Sequence, residues 1–299
     1  MIKSNQKVKT EKQSKIPASG ITGKGSMGII KANADYTKKL MIGIPTTGNI
    51  RIEWHYSLIN MIIPVNWSSS FCSPFYSGNS VISPMGFQVD HARNICVSAM
   101  IDGGFEWLLF IDHDTMPPNN MFLKMNKHME DMKYPIISGL YGNKACPSDP
   151  LVFRGGGDGC YKGWKYGDKV PVSAVVMGCT LIHREVIDAL KSVSETYNDR
   201  EHQLLGMITG KKIWKIFETV RAGSEDPETK TYRKYGGTED ICLCNRIIEE
   251  KILAKTKSWK HLAGRKYPFL CDTSIFCGHI DISGRVYPME RWEFAERSK

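Results

Sequence analysis

The sequence predicts an α/β fold with a mostly parallel central sheet flanked by helices. Short, almost wholly apolar segments alternate along the chain with segments of helical periodicity. Turns rich in glycine and proline separate the two kinds of segment. The 299 residues are 41% hydrophobic, with a mean hydropathy of −0.30, which is typical of a globular protein with a sizeable core.

The first predicted strand covers residues 40–44 and ends in the turn at residues 45–48. A helix is predicted around residues 53–61, and a second begins with Asp90 as its cap and stops at Gly103-Gly104. Residues 105–111 are nearly all apolar, which indicates a central strand covered on both faces. The later predictions are a helix over 117–129, a strand over 135–140, a loop over 142–170, a strand over 172–182, helices from 184 and from 238, and strand and loop over 267–280.

The net charge of +9 is concentrated near the N-terminus. Residues 1–40 contain nine lysines against Glu11 and Asp35, whereas the rest of the chain is nearly balanced. We therefore expect residues 1–37 to form a basic, disordered tail and residues 38–299 to form one domain that has no specific nucleic-acid partner. No apolar run reaches the roughly 18 residues that a transmembrane segment needs, and no secretion signal is visible. The expected location is the cytoplasm, where the nine scattered cysteines would remain reduced.

Asp112-His-Asp114 follows directly after a predicted central strand. On an extended chain, side chains two residues apart point the same way, so both carboxylates would face one ligand and His113 would face away. Ligands of open α/β sheets bind beyond the carboxyl ends of the strands. Two acids there suit Mg²⁺ or Mn²⁺ carrying phosphates, although solvated acids in a turn are the alternative.

Two further elements carry polar groups that chemistry can use. Thr238 is a good helix N-cap, so Glu239 and Asp240 would complement the helix dipole; alternatively, an acid here would take a proton from an attacking hydroxyl. His279, in Cys277-Gly-His279, becomes a candidate metal ligand only if the fold returns it to Asp114. Trp164 and Tyr166 would either stack on a sugar ring or anchor their loop.

Taken in order, these motifs resemble those of metal-dependent glycosyltransferases of the GT-A fold, the nucleotide-diphospho-sugar transferase fold. The likeness is greatest to family-2-like members of microbial or phage type, and it covers about residues 38–282. The segments that carry it are residues 42–45, 92–94, 109–118, 137–141, 177–182 with Arg184, 238–240 and 277–279. His113 and the lysine-rich stretch 211–234 depart from the family pattern.

The resemblance implies a role for each matching residue. Asp112, Asp114 and His279 would hold Mn²⁺ or Mg²⁺, with Asp112 also near the ribose of a nucleoside-diphosphate sugar. Asp240, beside Glu239, would be the catalytic base of an inverting enzyme. Near the donor, the resemblance places Pro45, Thr46 and Arg93 by the nucleotide, and Gly178 and Cys179 on the sugar and acceptor side.

The expected reaction moves a sugar from the donor to a hydroxyl of a glycan, protein or small-molecule acceptor. Two other readings stay open. A nucleotidyltransferase also places carboxylates and a metal beside a nucleotide, but it releases pyrophosphate. A noncatalytic nucleotide- or sugar-binding module, or a basic-tailed nucleic-acid binder, would show binding without turnover.

Overall fold

The computed structural model describes residues 40–64, 81–155, 159–198, 212–220 and 237–296. The predicted basic tail lies outside these residues, as does most of the lysine-rich stretch 211–234. The described residues form an α/β fold in which five α-helices flank a mixed, seven-stranded central sheet. None of the helices described is both long enough and apolar enough to traverse a lipid bilayer.

The α-helices are α1 (Ile52–Ile59), α2 (Val89–Gly103), α3 (Met121–Asp131), α4 (Arg184–Lys191) and α5 (Glu239–Glu249). The strands are β1 (Leu40–Gly43), β2 (Val81–Ile82), β3 (Trp107–Ile111), β4 (Thr115–Met116), β5 (Ile136–Leu140), β6 (Lys169–Val172), β7 (Cys179–His183), β8 (Thr196–Asn198), β9 (Lys212–Trp214), β10 (Phe269–Phe276), β11 (Gly278–Ile280) and β12 (Val286–Tyr287). Short 3₁₀ helices cover Ile252–Lys255, Lys260–Leu262 and Glu293–Ala295.

The central sheet has the strand order β2-β1-β3-β7-β5-β10-β6. The pairs β1–β2, β1–β3 and β5–β10 are parallel, whereas β7 is antiparallel to both of its neighbours and β6 is antiparallel to β10. The predicted mostly parallel sheet is therefore corrected to a mixed one. The predicted strand over residues 172–182 is interrupted: Val172 is the last residue of β6, residues 179–182 lie in β7, and residues 173–178 between them are outside both strands. Hydropathy could not show the break, because residues 172–183 are buried throughout.

The local signals otherwise predict the elements well. Every residue of β3, β5 and β7 is buried, as expected of strands covered on both faces. Helix α2 ends at Gly103, and Gly104 adopts the left-handed conformation with φ of 73°. Its N-cap is Gln88 instead of the predicted Asp90. The Asp90 carboxylate accepts the backbone N–H of His91 through Oδ1 and that of Thr219 through Oδ2, which ties the helix start to a distant segment.

A small three-stranded sheet, β12-β11-β4, lies beyond the end of β3. Strand β11 runs antiparallel to β4 and pairs His279 with Thr115. The backbone N–H of Ile280 also donates to the carbonyl of Asp114, at 2.8 Å. Through this sheet, a segment near the C-terminal end of the described chain returns to the residues that follow β3.

Candidate active site

The predicted site residues gather where several elements end at one edge of the central sheet. Asp112 and Asp114 follow β3, Gly178 precedes the antiparallel β7, and the Asp112 N–H donates to the Gly178 carbonyl at 2.9 Å. His279 lies on β11, and Glu239 and Asp240 open α5. This edge is where open α/β sheets bind their ligands.

Arg93 joins two of the acidic motifs. Its guanidinium donates to both oxygens of Asp112, at 3.0 and 2.9 Å, and to Glu239 Oε1 at 2.8 Å. Its side chain is 3% exposed and lies over the Phe110 ring, with Cζ 5.0 Å from the ring centroid. Burial disfavours the guanidinium charge, but the two carboxylates outweigh it and raise the pKa of Arg93. The cation is therefore permanent, and it fixes Asp112 relative to the start of α5.

Asp114 has different partners. Its Oδ2 is 2.6 Å from Lys144 Nζ and 3.5 Å from His279 Nε2. Burial would raise the pKa of Asp114, but hydrogen bonds from His279 and Lys144 outweigh it and lower the pKa. The carboxylate is thus ionised throughout the neutral range.

The Asp-x-Asp segment is a turn and not an extended strand. The Thr115 N–H donates to the Asp112 carbonyl at 3.0 Å, and the Trp54 indole N–H donates to the same oxygen at 2.8 Å. The expected alternation of side chains is therefore wrong here. His113 lines the same cleft as Asp114, with Nδ1 3.1 Å from the Pro45 carbonyl, while Asp112 is held by Arg93.

A cleft of about 630 Å³ lies beside Asp114. Its volume is within the range of small-molecule sites. Its polar lining residues include His113, Asp114 and Lys144, and its apolar lining residues are Ile50, Ile52, Ile280 and Ile282. The remaining lining residues are Thr47, Asn49, Arg51, Glu53 and Asp281. The predicted nucleotide contacts Pro45 and Thr46 immediately precede Thr47 in the chain.

The orientation of His279 bears on whether a cation fits. Its Nδ1 is 2.9 Å from the Gly142 carbonyl, which can only accept, so Nδ1 carries the proton. Nε2 faces the Asp114 carboxylate: it donates to that carboxylate when the ring is protonated, and it presents a lone pair there when the ring is neutral. A cation between the two acceptors would satisfy both, and a backbone carbonyl fixing the other ring nitrogen is a common arrangement for metal-binding histidines.

A carboxylate with an imidazole is a donor set that suits Mn²⁺, with phosphate oxygens or water completing the shell. Both Asp112 oxygens are already taken by Arg93, so Asp112 fits that set less well than Asp114 does. Within the described residues, no three His, Cys, Asp or Glu side chains are grouped closely enough to form a complete metal site.

Gly178 lies between two hydroxyl groups. A Cβ at this position would be 2.5 Å from both Thr115 Oγ1 and the Tyr141 hydroxyl oxygen. Thr115 Oγ1 is buried without a hydrogen-bond partner, and the Tyr141 hydroxyl accepts the Gly178 N–H at 2.8 Å. Burial, with the negative charges of Asp112 and Asp240, raises the pKa of Tyr141 well above its usual value, so its proton stays available for donation. The neighbouring Cys179 side chain is fully buried.

Thr238 is the N-cap of α5, as predicted, although its side chain does not bond to a helix N–H. Its hydroxyl donates to Asp240 Oδ1, which also accepts the Ile241 N–H at 2.8 Å. Burial, reinforced by the Asp240 charge, raises the pKa of Glu239 against the opposing effect of Arg93. Of the two acids, Glu239 is committed to Arg93, which leaves Asp240 as the better candidate base.

Sequence reasoning missed Lys144 and Tyr141 as functional residues. Both come from the turn after β5, and nothing in their local pattern distinguishes them from ordinary loop residues. The loop aromatics are anchors: Trp164 is 3% exposed and packs edge-on against Tyr166, Trp292 and Phe294.

No protein-family model and no curated protein sequence matches the chain. Among solved structures, the chain is similar to A197 from STIV, with a TM-score of 0.45 and 14% identity. The alignment covers 81% of this chain and 86% of that one. A likeness this distant concerns the general course of the chain and carries no information about function.

Proposed function

We propose that this protein is a metal-dependent glycosyltransferase with a GT-A-type fold, which moves a sugar from a nucleoside-diphosphate sugar to an acceptor hydroxyl. The observation that carries the proposal is the meeting of His279 and Asp114, 165 residues apart in sequence, at 3.5 Å beside a cleft. The spacing of the motifs along the sequence does not by itself require His279 to lie beside Asp114, whereas the proposed metal site does require it.

Each residue has a role in the proposed reaction. Asp114 and His279 would hold the cation, and Thr47 and Asn49 line the cleft where a nucleotide would lie. A bound divalent cation would supply positive charge to the leaving diphosphate. Arg93 keeps Asp112 in place, and Asp240 would accept the proton of the attacking hydroxyl. The acceptor would be a glycan, a protein or a small molecule.

The test is calorimetry with a panel of nucleoside-diphosphate sugars, with and without Mn²⁺, followed by product analysis. Asp114→Ala should abolish Mn²⁺-dependent donor binding. Asp240→Asn should bind the donor normally and lose at least about 100-fold in transfer rate, because general-base catalysis typically contributes that much.

Asp131→Asn, which changes a partly exposed acid of α3 paired with the exposed Lys127, is the matched control and should behave as wild type. Unchanged donor affinity in Asp114→Ala would overturn the assignment. Release of pyrophosphate would indicate a nucleotidyltransferase, and binding without any turnover would indicate a noncatalytic module.

A further inference from the structure

Lys144 makes the shortest ion pair in the candidate site, and no predicted role accounts for it. Its ammonium is 2.6 Å from Oδ2 of Asp114, the same oxygen that lies 3.5 Å from His279 Nε2. A divalent cation shared by Asp114 and His279 would therefore meet the ammonium group at the oxygen both require. Two like charges cannot share one carboxylate oxygen at contact distance without strong repulsion.

We propose that Lys144 is a movable counter-cation: it neutralises Asp114 in the free protein, and it turns to the phosphate oxygens of the donor when a divalent cation binds. This inference rests on the proposed function. Lys144 is then a second positive charge for the leaving diphosphate, and the cation must displace it from Asp114.

The two acids of the Asp-x-Asp segment are paired with side chains that differ in their freedom to move: Asp112 with Arg93, and Asp114 with Lys144. Arg93 is buried and makes three hydrogen bonds to two carboxylates, so it cannot move without leaving buried charges unpaired. Lys144 is 31% exposed, lines the cleft and makes one ion pair through a flexible stem. The geometry thus allows Lys144 to move while Arg93 stays in place.

The backbone around Lys144 is held in place, so the proposed movement belongs to the side chain. The Asn143 N–H donates to the Asp149 carbonyl at 3.0 Å, and the Ser148 hydroxyl donates to the Asn143 carbonyl at 2.7 Å. The Trp292 indole N–H donates to the Ser148 carbonyl at 2.8 Å. Rotation about the side-chain bonds of Lys144 can therefore redirect its ammonium within the cleft without a loop rearrangement.

The direct test is Mn²⁺ binding, followed by the electron paramagnetic resonance signal of the free ion. Lys144→Met should bind Mn²⁺ about tenfold more tightly than wild type, because a unit positive charge next to the ion is removed. Lys162→Met is the matched control: it removes an exposed lysine paired with Asp149 at 2.9 Å, outside the residues that line the cleft, and should bind Mn²⁺ as wild type does. Adding Asp114→Asn to Lys144→Met should remove the gain.

A second measurement, the affinity for a nucleoside diphosphate, tests whether Lys144 contacts the phosphate oxygens. At saturating Mn²⁺, Lys144→Met should bind a nucleoside diphosphate several-fold more weakly than wild type, while Lys162→Met should bind it equally well. Mn²⁺ affinity that is unchanged, lowered or undetectable in Lys144→Met overturns the inference, as does unchanged nucleotide binding at saturating Mn²⁺. Thermal melting of each variant confirms that it is folded.

The outcomes separate this inference from the proposed function. Tighter Mn²⁺ binding by Lys144→Met, with no nucleoside-diphosphate sugar bound by any variant, would support the exchange at Asp114 and reject the glycosyltransferase. Mn²⁺-dependent sugar-nucleotide binding by wild type, with unchanged Mn²⁺ affinity in Lys144→Met, would support the glycosyltransferase and reject the exchange.

Discussion

Arg93 holds two carboxylates that are far apart in the chain, and the three side chains act as one unit. Asp112 and Glu239 lie 19 and 146 residues from Arg93. Because Arg93 and Glu239 are buried and Asp112 is partly buried, the loss of one member leaves the others with uncompensated charge.

Arg93→Met should lower the free energy of unfolding by about 3–5 kcal/mol, since the buried carboxylate of Glu239 and the partly buried carboxylate of Asp112 lose their cation. Adding Glu239→Gln should recover part of that loss, because one of the stranded charges is removed. Chemical denaturation of the two single variants and the double variant measures the coupling. Strictly additive effects would show that Arg93 and Glu239 do not depend on one another.

Gly178 is a position where the absence of a side chain matters. Gly178→Ala would place a methyl group 2.5 Å from both Thr115 Oγ1 and the Tyr141 hydroxyl. We expect a loss of about 1–3 kcal/mol in stability from this overpacking, together with a loss of transfer activity. Gly237→Ala is the control, because its Cβ would meet Ile241 at an ordinary 3.4 Å. Equal unfolding free energies for the two variants would contradict the predicted crowding.

At the scale of elements, a buried hydrogen bond between a histidine and a carboxylate joins α3 to β10. His128 Nε2 is 2.7 Å from Asp272 Oδ2, and Oδ1 of the same acid accepts both the N–H and the hydroxyl of Ser274. Burial would raise the pKa of Asp272, but hydrogen bonds from His128 and Ser274 outweigh it and lower the pKa. The pair therefore stabilises the packing of a helix on the sheet at neutral pH.

Asp272→Ala should cost about 2–4 kcal/mol in unfolding free energy at pH 7, because His128 loses its buried partner. An acid whose pKa is lower in the folded state than in the unfolded state stabilises the protein fully at pH values above its unfolded pKa, which for Asp is about 3.9. That stabilisation is lost as the pH falls through the folded-state pKa. The difference in unfolding free energy between Asp272→Ala and wild type should thus become smaller as the pH falls below about 4. Asp131→Ala, at a surface ion pair in which the acid is partly exposed, is the control and should show no comparable difference in unfolding free energy. A constant difference across the acid range would contradict the proposed linkage.

At the scale of the whole molecule, the cleft is bounded by segments from both ends of the described chain, the loop after β1 and the hairpin of β11 and β12. Arg51 joins them: it donates to the Ile282 carbonyl at 3.1 Å and forms an ion pair with Glu53 at 2.9 Å. A ligand in the cleft would contact both segments and stabilise the fold as a unit.

Mn²⁺ and a nucleoside diphosphate together should therefore raise the melting temperature of the wild-type protein. Saturation at about 100 times Kd contributes about 2.7 kcal/mol, which corresponds to a few degrees for a chain of this size. EDTA should reverse the part of the increase in melting temperature that depends on the cation, and Asp114→Ala should not show that part of the increase. A melting temperature that does not change with both ligands present would contradict ligand binding at this cleft.

The sequence predicted the elements that depend on local patterns. Gly104 ends a helix because only a residue that tolerates positive φ suits that position, and the apolar run before Asp112 is a buried strand. The ordered motifs also predicted the pairing of His279 with Asp114. The break at residues 173–178 was not predictable, because residues 172–183 are buried throughout and hydropathy shows no interruption between β6 and β7.

The tertiary structure alone decided the partners of the acidic residues. Arg93 holds Asp112 and Glu239, and Lys144 holds Asp114 from 30 residues away. The direction of β7 and the turn that separates the two carboxylates were decided in the same way. The physical reason is that side-chain patterns report which residues are buried and which backbone angles are favoured, whereas ion pairs depend on distances that exist only after distant segments have packed together.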